Sequence, residues 1–291
     1  MVETSLFFIY TRKYIFMEFR TIVDIPKSCF QIPPCEKMLF VGSCFADNLG
    51  HRFCEEQFQA IVNPCGVMYN PASILHTVHK AKEEKPNVAI FTLGTNHVYI
   101  LKETGEIVDN CAKRPQKLFE EKKLTVEECF DYLKQAVVEL QTENADVHVI
   151  VTVSPIRYRK YGYHESQLSK AILMLATDQL VKAFDGVVEY FPAYEIINDE
   201  LRDYRFYKED MLHPSDQAVE YIWQRFSEIY FGKETQEFLR EWKPIKEALG
   251  HKPFNPESEE YKMFMTKTML KVEALSKKYP TFAFKKIKTK K

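Results

Sequence analysis

The sequence predicts an α/β protein, a three-layer α/β/α sandwich around a mainly parallel sheet. Short β-rich runs at 38–41, 60–62, 88–93, 147–153 and 187–191 alternate with longer stretches of helical periodicity. Strands separated by helices form βαβ units, and the parallel sheet they build is covered on both faces. Glycine is scarce, nine in 291 residues. Even so, Gly42, Gly66 and Gly94 all fall in loops that follow predicted strands, where backbone freedom is needed.

The first strand, Met38 to Val41, ends at Gly42-Ser43-Cys44 and hands over to a helix from Ala46 to Phe58, with Leu49 and Phe53 at i, i+4. Asn70-Pro71 offers an N-cap and an N1 proline to the helix "PASILHTVHKAKEE" that precedes the third strand. Val98 to Asn110 sets apolar runs on either side of Thr104-Gly105, which predicts a β-hairpin inserted after that strand. A helix follows from Thr125 to Leu140. In the next, "SQLSKAILMLATDQLVKAF", the spacing of Leu168, Ile172 and Leu175 predicts the core face. The last core helix starts after Pro214, and beyond about Lys233 the pattern is helical, broken at "HKPFNPES". The expected organisation is a lead-in over 1–29 with Met17 as an alternative start, an α/β domain over 30–232 with the hairpin insertion at about 98–124, and a helical appendage over 233–291.

Forty basic and 41 acidic residues leave a formal net charge of −1, so no global field recruits nucleic acid or an anionic membrane. The terminal "KKIKTKK" reads as a solvated, frayed end. No apolar run reaches the roughly 18 residues that a membrane span requires. Seven cysteines, an odd number without framework spacing, point to a reducing, cytoplasmic setting. No C-x₂-C or H-x₃-H spacing indicates a metal site.

In an open α/β sheet, ligands bind beyond the carboxyl ends of the strands, where loops converge and helix N-termini point their positive ends inward. The loops concerned are Gly42-Ser43-Cys44, "NPCGVMYNP", "LGTNH" and "SPIRYR". A fifth, "YKEDMLHPSDQ", carries Asp210 and His213 three apart, close enough for the carboxylate to orient the imidazole and fix its tautomer. Asp210, His213 and either Ser43 or Cys44 would make a nucleophile-acid-base triad.

The motifs "GSCFA", "NPCGVMYNP", "TLGT", "TVSP" and "FPAYEIINDELRDYRFYKEDMLHPS", in that order and each at or near a predicted strand end, resemble the GSCFA family of the SGNH (GDSL-type) hydrolase superfamily. The resemblance covers about 30–231 and implies a flavodoxin-like SGNH fold. By register it sets Gly42 on the glycine of the Gly-Asp-Ser block, Ser43 on the aspartate and Cys44 on the nucleophilic serine. It sets Gly66 and Asn96 on the second- and third-block oxyanion donors, and Asp210 and His213 on the orienting acid and general base. Two positions depart from the block, a thiol for the serine and Ser43 for the aspartate. A thiol at a helix N-terminus beside an imidazole is expected to have a lowered pKa, which keeps the chemistry viable.

The implied activity is that of an esterase or acyltransferase on a small-molecule or glycan ester, needing no metal or organic cofactor. The alternatives are a non-catalytic carbohydrate- or partner-binding member of the fold and a thiol-dependent acyl-transfer or redox protein. Around the site, His97, Arg157 and His164 are candidate pocket residues. Arg157, Arg159, Arg202 and Arg205 flank predicted loops, and a cluster there would suit an anionic or polyhydroxylated substrate.

Overall fold

The computed structural model describes residues 20–109, 111 and 114–284. The start of the lead-in, with Met17, and the lysine-rich tail lie outside the described residues. Strands β1 (Lys37–Gly42), β2 (Gln59–Val62) and β3 (Val88–Leu93) are interleaved with helices α1 (Cys44–Glu55) and α2 (Pro71–Ala81). A small antiparallel unit follows, made of β4 (His97–Leu101), β5 (Ile107–Val108) and β6 (Phe119–Lys123). The main fold then resumes with α3 (Val126–Glu143), β7 (His148–Val153), α4 (Tyr163–Ala183) and β8 (Val188–Tyr190). The short helix α5 (Ala193–Glu195) runs on into a π-helical turn, Ile196–Leu201. Helices α6 (Asp216–Tyr230), α7 (Lys233–Gly250) and α8 (Glu259–Lys278) complete the chain.

The main sheet is parallel throughout, in the order β2-β1-β3-β7-β8. Its inner strands β1, β3 and β7 are buried on both faces, and alternation along them feeds two cores. Leu39, Val41, Ala89 and Phe91 pack with α2, α3 and α4. Met38, Phe40, Val88 and Ile90 pack with α1, α6 and the π-helical turn, where Phe53 and Phe226 meet edge to face at 5.6 Å. The three-layer sandwich is therefore as the sequence predicts. The reversal of strand order beside β1 puts a crevice at the carboxyl ends of β1 and β3.

Helix starts follow local chemistry. Asn70 Oδ1 accepts from Ser73 N at 2.9 Å ahead of Pro71. Thr125 and Glu128 form a reciprocal capping box, with Glu128 N to Thr125 Oγ1 at 3.2 Å and Thr125 N to Glu128 Oε2 at 2.9 Å. Thr125→Ala should lower stability by about 1 kcal/mol, read from the midpoint of urea unfolding, because the side-chain acceptor for Glu128 N is lost while the backbone N–H of residue 125 can still donate to Glu128.

The predicted hairpin is present as β4–β5, joined by the Thr104-Gly105 turn, and the structure adds β6 to it, giving a three-stranded sheet in the order β5-β4-β6. The two-residue β5 is the shorter partner of β4, and β6 the longer, from His97↔Lys123 to Leu101↔Phe119. One expectation needs correction, the face of α4: Leu168 and Leu175 are 45% and 57% exposed. The buried stripe runs through Ser166, Ser169, Lys170, Leu173, Ala176, Thr177 and Leu180. That stripe keeps helical period but is polar at its start, because its polar groups are used to hold loops at the sheet's carboxyl end.

Beyond α6, Gly232 caps α7, and Phe238, Trp242 and Ile245 of α7 pack with Val272 and Leu275 of α8 around Cys35. Trp242 Nε1 donates to Glu55 O at 3.0 Å, tying this layer to α1. None of the seven cysteines forms a disulfide. Among the described residues, no helix is long and apolar enough to cross a membrane.

Candidate active site

The crevice is built around Gly42. A Cβ there would lie 2.2 Å from Thr92 O, and φ is +140°, so only glycine lets the end of β1 press against the end of β3. That approach positions the next residue. Ser43 N donates to Thr92 O at 3.0 Å and to Thr92 Oγ1 at 2.8 Å. Ser43 Oγ pairs with Thr92 Oγ1 at 3.0 Å and Ser154 Oγ at 2.9 Å, and accepts from Phe45 N at 3.2 Å as the N-cap of α1. With 4% exposure and three hydroxyl contacts, Ser43 is a buried brace joining β1, β3 and β7.

Cys44 is the first residue of α1 and only half-buried. Burial and the nearby Asp47 carboxylate raise its thiol pKa, while its own backbone N–H pulls the other way. The sequence-based expectation of a lowered pKa is therefore corrected. The helix terminus acts at this thiol, but desolvation and Asp47 outweigh it, so the resting sulfur is protonated at neutral pH. In the first turn Phe45 N and Ala46 N are taken by Ser43 Oγ and Ser43 O, leaving the Cys44 N–H outside the cap.

The loop between the π-helical turn and α6 is shaped to present His213. Tyr207 bridges Pro214, Lys208 N donates to His213 O at 2.7 Å, and Met211 takes φ +59° at the tip. Asp210 Oδ1 accepts from Leu212 N at 2.8 Å and His213 N at 3.0 Å, and its Oδ2 lies 2.5 Å from His213 Nδ1. Those backbone bonds, followed by the imidazole contact, hold the Asp210 carboxyl far below the usual carboxylate range. A carboxylate can only accept, so the contact is an Nδ1–H donated to Asp210 Oδ2, which leaves Nε2 outside that bond.

Cys44 and His213 line one cavity of about 270 Å³, together with Ser43, Tyr69, Gly94, Ser154, Ile156, Tyr158 and Leu212. Arg157, Arg159 and Lys160 from the loop after β7 complete its wall. Arg157 N donates to Leu212 O at 3.0 Å, which locks that loop to the His213 loop. Lys160 Nζ contacts the Tyr99 and Tyr161 hydroxyls and lies 3.4 Å from Glu121, so β4 and β6 buttress the rim. Behind the wall, the fully buried Lys170 donates from Nζ to Ser154 O at 2.8 Å.

Of the sequence-predicted residues, the structure thus brings Cys44, Ser43, His213 and Arg157 to one cavity, with Asp210 supporting His213. Gly66, Asn96, His97 and His164 do not line it. Gly66, at φ +90°, gives its N–H to Asn63 O at 2.8 Å within its own turn. Asn96 is 1% exposed, and its Nδ2 donates to Leu124 O at 2.7 Å; the reversed amide would set two oxygens together. His97 is 5% exposed, stacked on Tyr161 with centroids 4.0 Å apart. Burial first, then Lys123, pushes its pKa down to about 4. His164 is exposed on the first turn of α4. Arg159, named from sequence in the arginine cluster, also lines the cavity, whereas Tyr69, Tyr158, Lys160 and Ser154 were not singled out individually from sequence, although they lie inside the quoted loop motifs or directly beside them.

The GSCFA family profile matches residues 37–87 and 79–226, and the profile of the GSCFA domain protein, C-terminal domain, matches 242–290. No curated protein matches the chain. Among solved structures, a Lactobacillus plantarum protein is 15% identical, covering 68% of this chain and 98% of its own, with a TM-score of 0.45. A mutant acetyl-xylooligosaccharide esterase from Geobacillus stearmophilus is 12% identical, covering 69% and 96%, with a TM-score of 0.43. A carbohydrate esterase family 3 protein from Talaromyces cellulolyticus is 10% identical, covering 70% and 98%, with a TM-score of 0.40. Since the family profile spans most of the residues that build the sheet and both loops that carry Cys44 and His213, the chain belongs to the GSCFA family.

Proposed function

We propose that the protein hydrolyses or transfers an acyl group from an ester, with Cys44 as nucleophile, His213 as general base and Asp210 as the residue that orients it. The observation that carries the reading is the shared cavity, with a half-buried thiol and an imidazole fixed at Nδ1 on one wall system. Ser43 is the weaker candidate because its hydroxyl already serves three partners.

A protonated thiol needs its base at the moment of attack. His213 Nε2 takes the Cys44 proton as sulfur adds to the ester carbonyl, and the resulting imidazolium is stabilised by Asp210. The oxyanion faces the Cys44 N–H, with the cationic wall of Arg157, Arg159 and Lys160 supplying the field that Gly66 and Asn96 do not. Collapse breaks the ester C–O bond, His213 returns the proton to the leaving alkoxide, and a thioester remains on Cys44. Water, or an acceptor hydroxyl, then adds to the thioester with His213 again as base, regenerating the thiol and releasing acid or a new ester.

The test is direct trapping. Incubation with p-nitrophenyl acetate and an acid quench should leave a hydroxylamine-sensitive acetyl group on the Cys44 peptide, read by mass spectrometry, and His213→Ala should leave none. Wild type and His213→Ala equally inert towards short-chain esters and thioesters would instead support a binding role for the same cavity.

A further inference from the structure

A second cavity of about 270 Å³ adjoins the first, lined by Gln167, Ile197, Asn198, Arg202, Asp203, Tyr204 and Tyr207, and Arg157 belongs to both. The cations around it differ in one respect. Arg202 faces Asp199 at 3.8 Å, Arg205 faces Asp203 at 2.9 Å, and Lys208 faces Asp216 at 2.9 Å. Among the described residues, Arg157 has no carboxylate partner. It is held by Nη1 donating to Met211 O at 3.1 Å and by the Tyr163 and Tyr207 rings, 4.3 and 5.5 Å from its guanidinium carbon.

The rest of the chamber is suited to a polyol. Tyr204 is 68% exposed, and its ring centre lies 6.0 Å from the Arg157 guanidinium carbon. Tyr194 donates its hydroxyl to Gln167 Oε1 at 2.5 Å, which leaves the Gln167 amide N–H groups as donors, and Asn198 Nδ2 donates to Tyr194 O at 2.8 Å, which leaves its oxygen as acceptor. Oriented planar amides beside an open aromatic face recognise hydroxyls and the apolar face of a sugar ring.

We infer that this chamber is the subsite for the alcohol part of the ester, that the alcohol is an acidic sugar, and that its carboxylate is read by Arg157. A planar carboxylate matches the edge of one guanidinium left free by the Met211 bond. A phosphate dianion calls for a second unpaired cation in the same chamber, and Arg202 is already paired. Arg157 also reaches the catalytic cavity, so the reading sets the sugar on one side of this side chain and the acyl group on the other. The inference rests on the acyl-transfer reading of the Cys44 cavity.

The experiment compares the O-acetylated methyl glycosides of glucuronic acid and glucose as substrates, with the free methyl glycosides titrated calorimetrically into Cys44→Ala protein. Wild type should favour the acidic ester in kcat/KM by about 10- to 100-fold, the range of one charge-assisted bond, and Arg157→Gln should bring that ratio to about one. Arg157→Lys, which keeps the charge without the fork, should give an intermediate ratio, and Tyr204→Ala should raise KM for both sugars. Because Arg157 braces the His213 loop, Lys and Tyr204 variants keep the test decisive if Arg157→Gln does not fold. Turnover of both esters without a charge preference, or a preference that Arg157→Gln and Arg157→Lys leave intact, overturns the subsite while the acyl-transfer reading stands. Arg157-dependent binding of the glucuronide without turnover of any ester supports the subsite as a binding site and overturns the acyl-transfer reading.

Discussion

Cys44→Ala and His213→Ala should each lower kcat for ester hydrolysis by roughly 10⁴- to 10⁶-fold, and the double variant should lose little more than either alone. The expectation follows from the resting state of the thiol. Burial and Asp47 raise its pKa, so there is no standing population of thiolate to carry a base-independent reaction, and removing the base disables the nucleophile almost as fully as removing the sulfur. Asp210→Asn should cost less, roughly 10⁴-fold, because the imidazole remains but its tautomer is no longer imposed at Nδ1. Steady-state kinetics on one nitrophenyl ester, with the circular dichroism spectrum and urea-unfolding midpoint of each variant beside them, separate these losses from misfolding. A strictly additive double variant would mean that the two residues do not act as a unit.

Ser43→Ala distinguishes the neighbours. It removes the cap of α1 and leaves the Thr92 and Ser154 hydroxyls short of a partner in a site that is 4% exposed. The loss should therefore appear first as stability, about 1–3 kcal/mol, with a smaller effect on kcat than Cys44→Ala. The serine that stands where the Gly-Asp-Ser block has an aspartate fits the same contacts: a carboxylate buried against two hydroxyls, with no cation bonded to it directly, would be costly, whereas a hydroxyl both donates and accepts.

What was legible in the sequence is what local chemistry determines. Gly42 before a helix announces a tight strand-to-helix junction, and Asp210 three residues before His213 is a contact made within one turn. The family register was equally legible, but not what occupies each donor. Asn96 falls where the resemblance implies an oxyanion donor, yet its amide is captured by Leu124 O, brought back by the inserted β4–β6 unit 28 residues later. Gly66 is likewise spent on Asn63 O. These are long-range or conformational choices that residue type does not reveal. The buried face of α4 was misread for a related reason: hydropathy assigns Ser166, Ser169 and Lys170 to solvent, but their polar groups meet partners at the sheet's end. Ser169 Oγ bonds Thr95 Oγ1 at 3.0 Å and accepts from Asn96 N at 2.9 Å.

Lys170 gives the largest expected dependence on pH. Its amine is fully buried, with a single hydrogen bond to Ser154 O and the Tyr194 ring 5.7 Å away, and no carboxylate pairs with it among the described residues. Burial lowers its pKa to about 7, against 10.5 for an ordinary lysine. Below about pH 7 both folded and unfolded chains carry the proton, and folding bears the full penalty of burying an ammonium. Between about 7 and 10.5 the unfolded chain still holds a proton that the folded chain has released, which works against proton uptake and makes wild-type stability rise with pH. Lys170→Met has no such ionisation. The stability of wild type relative to Lys170→Met should therefore improve by on the order of 4 kcal/mol between about pH 6 and pH 10, in paired urea titrations. The Ser154 carbonyl left unbonded in the variant shifts the whole difference by about 1–3 kcal/mol in favour of wild type, but it does not change with pH, so the slope isolates the amine. A flat difference would mean that the amine keeps its proton in the folded state. Because Ser154 Oγ braces Ser43 beside Cys44, the same variant should also lower kcat, linking a buried charge on α4 to the geometry of the thiol.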